Sequence, residues 1–110
     1  MRNGGKLNIT DGNLMNNTAT EGAGVYAYGN NEYNRVIVTI SGNTEIMNNI
    51  ATGNGGGIGT KDYVTINLSD GMVRDNEALN GGGVYMDNTN TNVNLSNCFI
   101  GGNRVSGNGG

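Results

Sequence analysis

Asn76-Glu77-Ala78-Leu79-Asn80-Gly81-Gly82-Gly83-Val84-Tyr85 decides the fold, because the rest of the chain repeats it with variations. It returns as Asn17-Thr18-Ala19-Thr20-Glu21-Gly22-Ala23-Gly24-Val25-Tyr26. A copy one residue longer runs from Asn49 to Gly59, and a fourth begins at Asn103 and reaches Gly110. Three positions ahead of each Asn stands an aliphatic residue: Leu14, Ile46, Val73 and Ile100. The four Asn residues lie 32, 27 and 27 positions apart. That period is too short for propeller blades and shows no helical 3.6 spacing. It fits one coil of a parallel β-solenoid, built of three short strands and three turns.

Composition alone would mislead. Of 110 residues, 21 are Gly and 22 are Asn, with no Pro, Trp or His. Leu, Ile, Val and Phe together make only 22, near the level at which chains remain disordered. Their placement argues for order, since they recur at fixed repeat positions. The net charge of -3 is scattered over both signs, so the basic footprint of a nucleic-acid binder is missing. No apolar run approaches membrane-spanning length, so no membrane insertion is expected. Met1 to Lys6 carry no apolar signal-peptide core. A single Cys98 and no His predict neither an internal disulfide nor a zinc site, and no cofactor is expected.

Within each repeat an alternating segment reads as a half-buried strand: Leu7-Asn8-Ile9-Thr10, Val38-Thr39-Ile40-Ser41, Ile66-Asn67-Leu68-Ser69 and Val93-Asn94-Leu95-Ser96. Stacked coils would place Leu7, Val38, Ile66 and Val93 in one inward column, and Ile9, Ile40, Leu68 and Leu95 in a second. Leu14, Ile46, Val73 and Ile100 make a third. Val25, Ile58 and Val84 follow the glycines, with Ala27, Thr60 and Met86 two residues on. Ala19, Ala51, Ala78 and Val105 share a further, small position. One coil cannot bury its inner face alone; stacking supplies the stability.

Asn17, Asn49, Asn76 and Asn103 predict an asparagine ladder, each amide bonding the next. Asp11-Gly12, Gly42-Asn43, Asp70-Gly71 and Asn97-Cys98 mark another corner, with Cys98 expected as a buried free thiol. Residues 27–35 hold about five more residues than later coils and predict a bulging loop. The expected coils span approximately 1–35, 36–63, 64–91 and an incomplete 92–110. Both ends lack the polar caps solenoids carry, so the chain reads as a slice of a longer repeat protein. The expected fold is an all-β, right-handed parallel β-helix of about four coils of roughly 27 residues, the hand following the rule for parallel crossovers.

Paired motifs of this type resemble the repeats of bacterial polymorphic outer membrane proteins and related adhesins. In those, a Gly-Gly-Ala-aliphatic tetrapeptide alternates with Phe-x-x-Asn. The first motif appears as Gly22-Ala23-Gly24-Val25, Gly55-Gly56-Gly57-Ile58 and Gly81-Gly82-Gly83-Val84. The second has Leu14, Ile46, Val73 and Ile100 in place of Phe. The resemblance covers essentially the whole chain. It implies export, often by autotransport, a location at the cell surface or outside it, and a role in adhesion or as a stalk.

Chemistry-bearing patterns are sparse. Gly53-Asn54-Gly55-Gly56-Gly57-Ile58-Gly59 resembles a dinucleotide fingerprint only superficially, since no helix pattern follows it. A calcium β-roll would need Asp where Lys61 stands. The sequons at Asn8, Asn16, Asn67 and Asn94 largely follow from polar residues alternating outward, and with only Thr10 and Thr39 that face is no threonine lattice for ice. On the sheet after the glycines, Tyr26, Gly59 and Tyr85 face outward, followed by Tyr28, Lys61 and Asp87. Tyr26 and Tyr85 would stand two coils apart, roughly 9.6 Å, with Gly59 leaving a dip between them. Aromatic faces so spaced suit alternate sugars of a glycan chain; the plainer reading is that exposed Tyr simply suits a strand. Pectinase-like catalysis needs clustered carboxylates, and that face offers Asp87, with Asp62 or Glu32 approaching only from loops.

The expected function is therefore non-catalytic: a structural or adhesive segment of an exported bacterial surface protein. Candidate contact residues are Tyr26, Tyr28, Tyr33, Arg35, Lys61, Tyr85 and Asp87, and candidate partners are host or environmental glycans, surface proteins and neighbouring coils of the parent. The rival reading is a carbohydrate-binding or polysaccharide-processing β-helix whose active coils lie outside these residues.

Overall fold

In a computed structural model, residues 4–87 and 90–108 are described; glycines 109 and 110 of the fourth repeat and the first three residues lie outside them. The first coil comprises β1 (Lys6–Thr10), β2 (Asn13–Met15), β3 (Thr18–Ala19) and β4 (Val25–Tyr28). The second comprises β5 (Val36–Ser41), β6 (Glu45–Met47), β7 (Ile50–Ala51) and β8 (Ile58–Lys61). β9 (Val64–Ser69), β10 (Met72–Arg74), β11 (Glu77–Asn80) and β12 (Val84–Met86) form the third. The fourth holds β13 (Asn92–Ser96), β14 (Phe99–Gly101) and β15 (Arg104–Asn108). Strands of successive coils pair in parallel into four sheets: β1-β5-β9-β13, β2-β6-β10-β14, β3-β7-β11-β15 and β4-β8-β12. The chain is a right-handed parallel β-helix of about four turns.

A complete coil thus carries four strands, which corrects the expectation of three. The residue before each ladder Asn adopts the left-handed conformation (Asn16 φ 61, Asn48 φ 55, Asp75 φ 56, Gly102 φ 63) and breaks what would be one strand into two. Asn and Asp visit this region more readily than other residues with a Cβ, because their short polar side chains bond locally. The preceding corner uses the same device at Asp11, Gly42, Asp70 and Asn97. At the third corner the left-handed residue is Gly22, Gly55 or Gly81. A Cβ on Gly81 would lie 2.7 Å from that of Tyr85, so space as well as φ demands glycine there.

Register places like over like. Leu7 pairs Val38, which pairs Ile66, which pairs Val93; Leu14, Ile46, Val73 and Ile100 align in the same way. Ile40, Ile46, Ile58, Ile66, Leu68 and Val73 are sealed in the middle coils, each contributing about 1.5–3 kcal/mol relative to exposure. Val36 and Val64 add a buried pair that the repeat alignment left out, because the first and last coils have no aliphatic residue there. The columns end in exposed residues: Leu95 and Ile100 in the fourth coil, and Met86 in the third, where β12 is the last strand of its sheet. Cys98 is a half-buried free thiol packed on the core.

Between the aliphatic core and a small cluster of Ala23, Ala51 and Ala78 runs the amide ladder. Asn17 Nδ2 donates to Asn49 Oδ1, Asn49 Nδ2 to Asn76 Oδ1 and Asn76 Nδ2 to Asn103 Oδ1, each at 3.0 Å. Each of these oxygens also accepts the backbone N–H of the Asn one coil earlier. The second proton of each inner Nδ2 goes to the carbonyl of the aliphatic residue one coil back: Asn49 to Leu14, Asn76 to Ile46, Asn103 to Val73. Asn49 and Asn76 are wholly buried and yet leave no donor or acceptor unused.

Candidate functional site

The outward face of β4-β8-β12 is set by register: Tyr26 pairs Gly59, which pairs Tyr85. With no side chain at Gly59, the two phenol rings flank a gap. Its floor is tight, since a Cβ on Gly59 would come within 3.1 Å of Gly22 N and 3.3 Å of Asn54 O. The result is a small open cleft of about 70 Å³, lined by Tyr26, Gly59, Tyr85, Lys61 and Asp87 together with Glu21, Asn54 and Thr60. Thr60 belongs to the inner column and is buried, its hydroxyl donating to the Tyr85 carbonyl at 3.2 Å.

Four of the seven residues singled out from the sequence therefore converge on one cleft. Tyr28 is one step along β4, where the Lys61 ammonium sits 5.6 Å from its ring centroid. Tyr33, 89% exposed, lies away from the cleft on a single 3-10 turn (Glu32–Asn34), within the expected loop. That turn is capped by Asn31, whose Oδ1 accepts from the N–H groups of Tyr33 and Asn34. Arg35 lies outside the cleft too and acts as a brace. Its Nη1 reaches the carbonyls of Val64 (3.1 Å) and Asn90 (2.9 Å), and the guanidinium lies over the Tyr63 ring. One side chain thereby ties the loop to the corners of two later coils.

The second carboxylate at the cleft is Glu21; neither Glu32 nor Asp62 lines it. Its signal was present in the repeats: Glu21, Asn54 and Asn80 each precede a left-handed glycine. Stacked, they form a second polar ladder, with Asn80 Nδ2 donating to Asn54 Oδ1 at 2.8 Å and Asn54 Nδ2 to Glu21 Oε1 at 3.4 Å. On the β1-β5-β9-β13 face, Asn94 Nδ2 donates to Asn67 Oδ1, so the sequon asparagines also bond along the stack.

Both phenols at the cleft hold their protons more tightly than free tyrosine. For Tyr26 the main cause is desolvation by burial, followed by the charge of Glu21 and a hydrogen bond to it, then the charge of Asp87. Tyr85 is raised by burial, then by Asp87, which accepts from its hydroxyl at 3.4 Å, then by Glu21. Each ring therefore feels both carboxylates across the gap. Raised folded-state values mean that the neutral phenols favour the fold below the ordinary value of 10.0, and that this contribution fades as pH rises through the higher folded values. A phenolate absorbance titration is expected to show Tyr26 and Tyr85 ionising above 10.0. Glu21→Gln should return Tyr26 part of the way only, because burial remains; an unmoved titration in that variant would contradict the assigned coupling.

Comparison with protein-family models, curated proteins and solved structures gave no match to this chain. Among the described residues no three His, Cys, Asp or Glu side chains converge where they could hold a metal ion. Among the described residues no helix is long and apolar enough to cross a membrane, which says nothing of β-barrels.

Proposed function

We propose that the chain is a non-catalytic adhesive and structural segment of an exported bacterial cell-surface protein, and that its cleft engages glycans. The supporting observation is the Tyr26–Gly59–Tyr85 row: two aromatic side chains set roughly two strand spacings apart on a stiff sheet, with amide and carboxylate groups lining the same cleft. Sugar rings offer an apolar face to an aromatic ring and hydroxyls to carboxylate and amide oxygens, and this cleft supplies both kinds of partner. Because the rings sit on paired strands, little conformational entropy is lost on binding. Export and surface location rest on the resemblance of the repeats. In the parent protein, a C-terminal membrane barrel or wall anchor would accord with that reading.

A second reading, polysaccharide processing, draws on Glu21 and Asp87 bordering the same cleft, since glycosidases use paired carboxylates. Both are tested by applying the chain to a glycan panel and assaying the bound glycans for new reducing ends. The expected result is retention of at least one glycan without cleavage, with affinity falling about tenfold or more in Tyr26→Ala/Tyr85→Ala. Cleavage would favour the second reading, and a panel with no ligand would end the adhesive one.

A further inference from the structure

The cleft carries a charge pattern that narrows the class of sugar. Glu21 and Asp87 both line it, and among the described residues neither is in an ion pair. Their partners are neutral donors: the Asn54 amide and the Tyr26 hydroxyl for Glu21, the Tyr85 hydroxyl for Asp87. The cation of the cleft, Lys61, has its ammonium drawn to the neighbouring Tyr28 ring. Both carboxylates and both phenols line the same small cleft. Aromatic ring faces are themselves electron-rich. Since Tyr26 and Tyr85 stand roughly 9.6 Å apart, a cation over Gly59 comes within the ~6 Å over which a ring face attracts it.

We infer that the Tyr26–Gly59–Tyr85 cleft, flanked by Glu21 and Asp87, selects glycans bearing free amino groups, namely de-N-acetylated hexosamine chains, over neutral or acidic ones. This rests on the glycan-binding reading and adds the sign of the ligand's charge. The ammonium of one hexosamine sits above Gly59 between the two rings. There it satisfies carboxylates that now accept only weak neutral hydrogen bonds. The pyranose faces on either side lie against the phenols. An acidic glycan, such as a uronate chain, brings its carboxylate against Glu21 and Asp87 and is repelled.

The test is calorimetric titration of the full chain, at low salt, with length-matched oligosaccharides: fully acetylated chitin, its fully deacetylated counterpart and oligogalacturonate. The deacetylated chain is expected to bind about five- to tenfold more tightly than the acetylated one, with oligogalacturonate weakest. In Glu21→Gln/Asp87→Asn the preference should collapse. In Asp70→Asn/Glu77→Gln, which removes the same charge away from the cleft, it should persist. If acetylated and deacetylated chains bind equally, charge selection is wrong while glycan binding stands. If the preference survives Glu21→Gln/Asp87→Asn or is lost equally in the distant pair, it reflects the acidic chain as a whole and the inference fails. If none of the three binds, glycan recognition at this cleft fails and the selectivity goes with it.

Discussion

Asn76→Ala is expected to destabilise the solenoid by about 4 kcal/mol, measured by urea unfolding. Asn76 is fully buried, and its amide bonds the Asn103 amide on one side and the Ile46 carbonyl on the other. Its oxygen accepts both the backbone and the side-chain N–H of Asn49. Alanine leaves the buried backbone N–H of Asn49 and one Nδ2 proton of Asn49 without their acceptor, and Asn103 Oδ1 loses one of its two donors. Each buried polar group so orphaned costs about 1–3 kcal/mol, more than the bond itself contributed. Asn17→Ala serves as the comparison. Asn17 is exposed and, among the described residues, its side chain donates to Asn49 alone, so about 1 kcal/mol is expected. Equal losses at the two positions would mean that the ladder is surface decoration, not the spine of the fold.

Gly57→Ala should be nearly as damaging, at about 3 kcal/mol. The backbone at Gly57 is not in the left-handed region, so the reason is space alone. A Cβ there would stand 2.6 Å from the Gly83 carbonyl oxygen, 2.7 Å from Val73 Cγ1 and 3.0 Å from Asn76 Nδ2. It would press at once on the next coil's backbone, the core and the ladder. The Gly83 carbonyl cannot retreat without losing the N–H groups of Gly57 and Ile58, from which it accepts. Gly12→Ala is the matched control, since its Cβ would meet Ile9 Cγ2 at an ordinary 3.5 Å. Its stability should stay within about 0.5 kcal/mol of the parent. A mild Gly57→Ala would show that the coils can separate at the glycine corner, and the stiffness on which the cleft depends would be lost.

Much of this molecule could be read from the repeats. The columns through Ile46, Val73 and Ile100, the ladder from Asn17 to Asn103, and the row Tyr26–Gly59–Tyr85 all stand where alignment of the copies puts them. In a solenoid, the same position in successive repeats means adjacency along the axis at one strand spacing, so sequence period translates directly into neighbours above and below. Neighbours around the circumference are not given that way. How far each corner turns depends on left-handed residues such as Asn48 and Asp75, which made a fourth strand of what looked like part of the third. Nor did the period show that Glu21 lines the cleft, that Tyr33 lies away from it, or that Arg35 reaches across two coils to brace the Val64 and Asn90 carbonyls. Periodicity fixed what stacks on what, because backbone pairing repeats at one height per coil. Tertiary packing alone decided what faces what across a turn, because corner angles arise from local φ values and side-chain contacts that no period encodes.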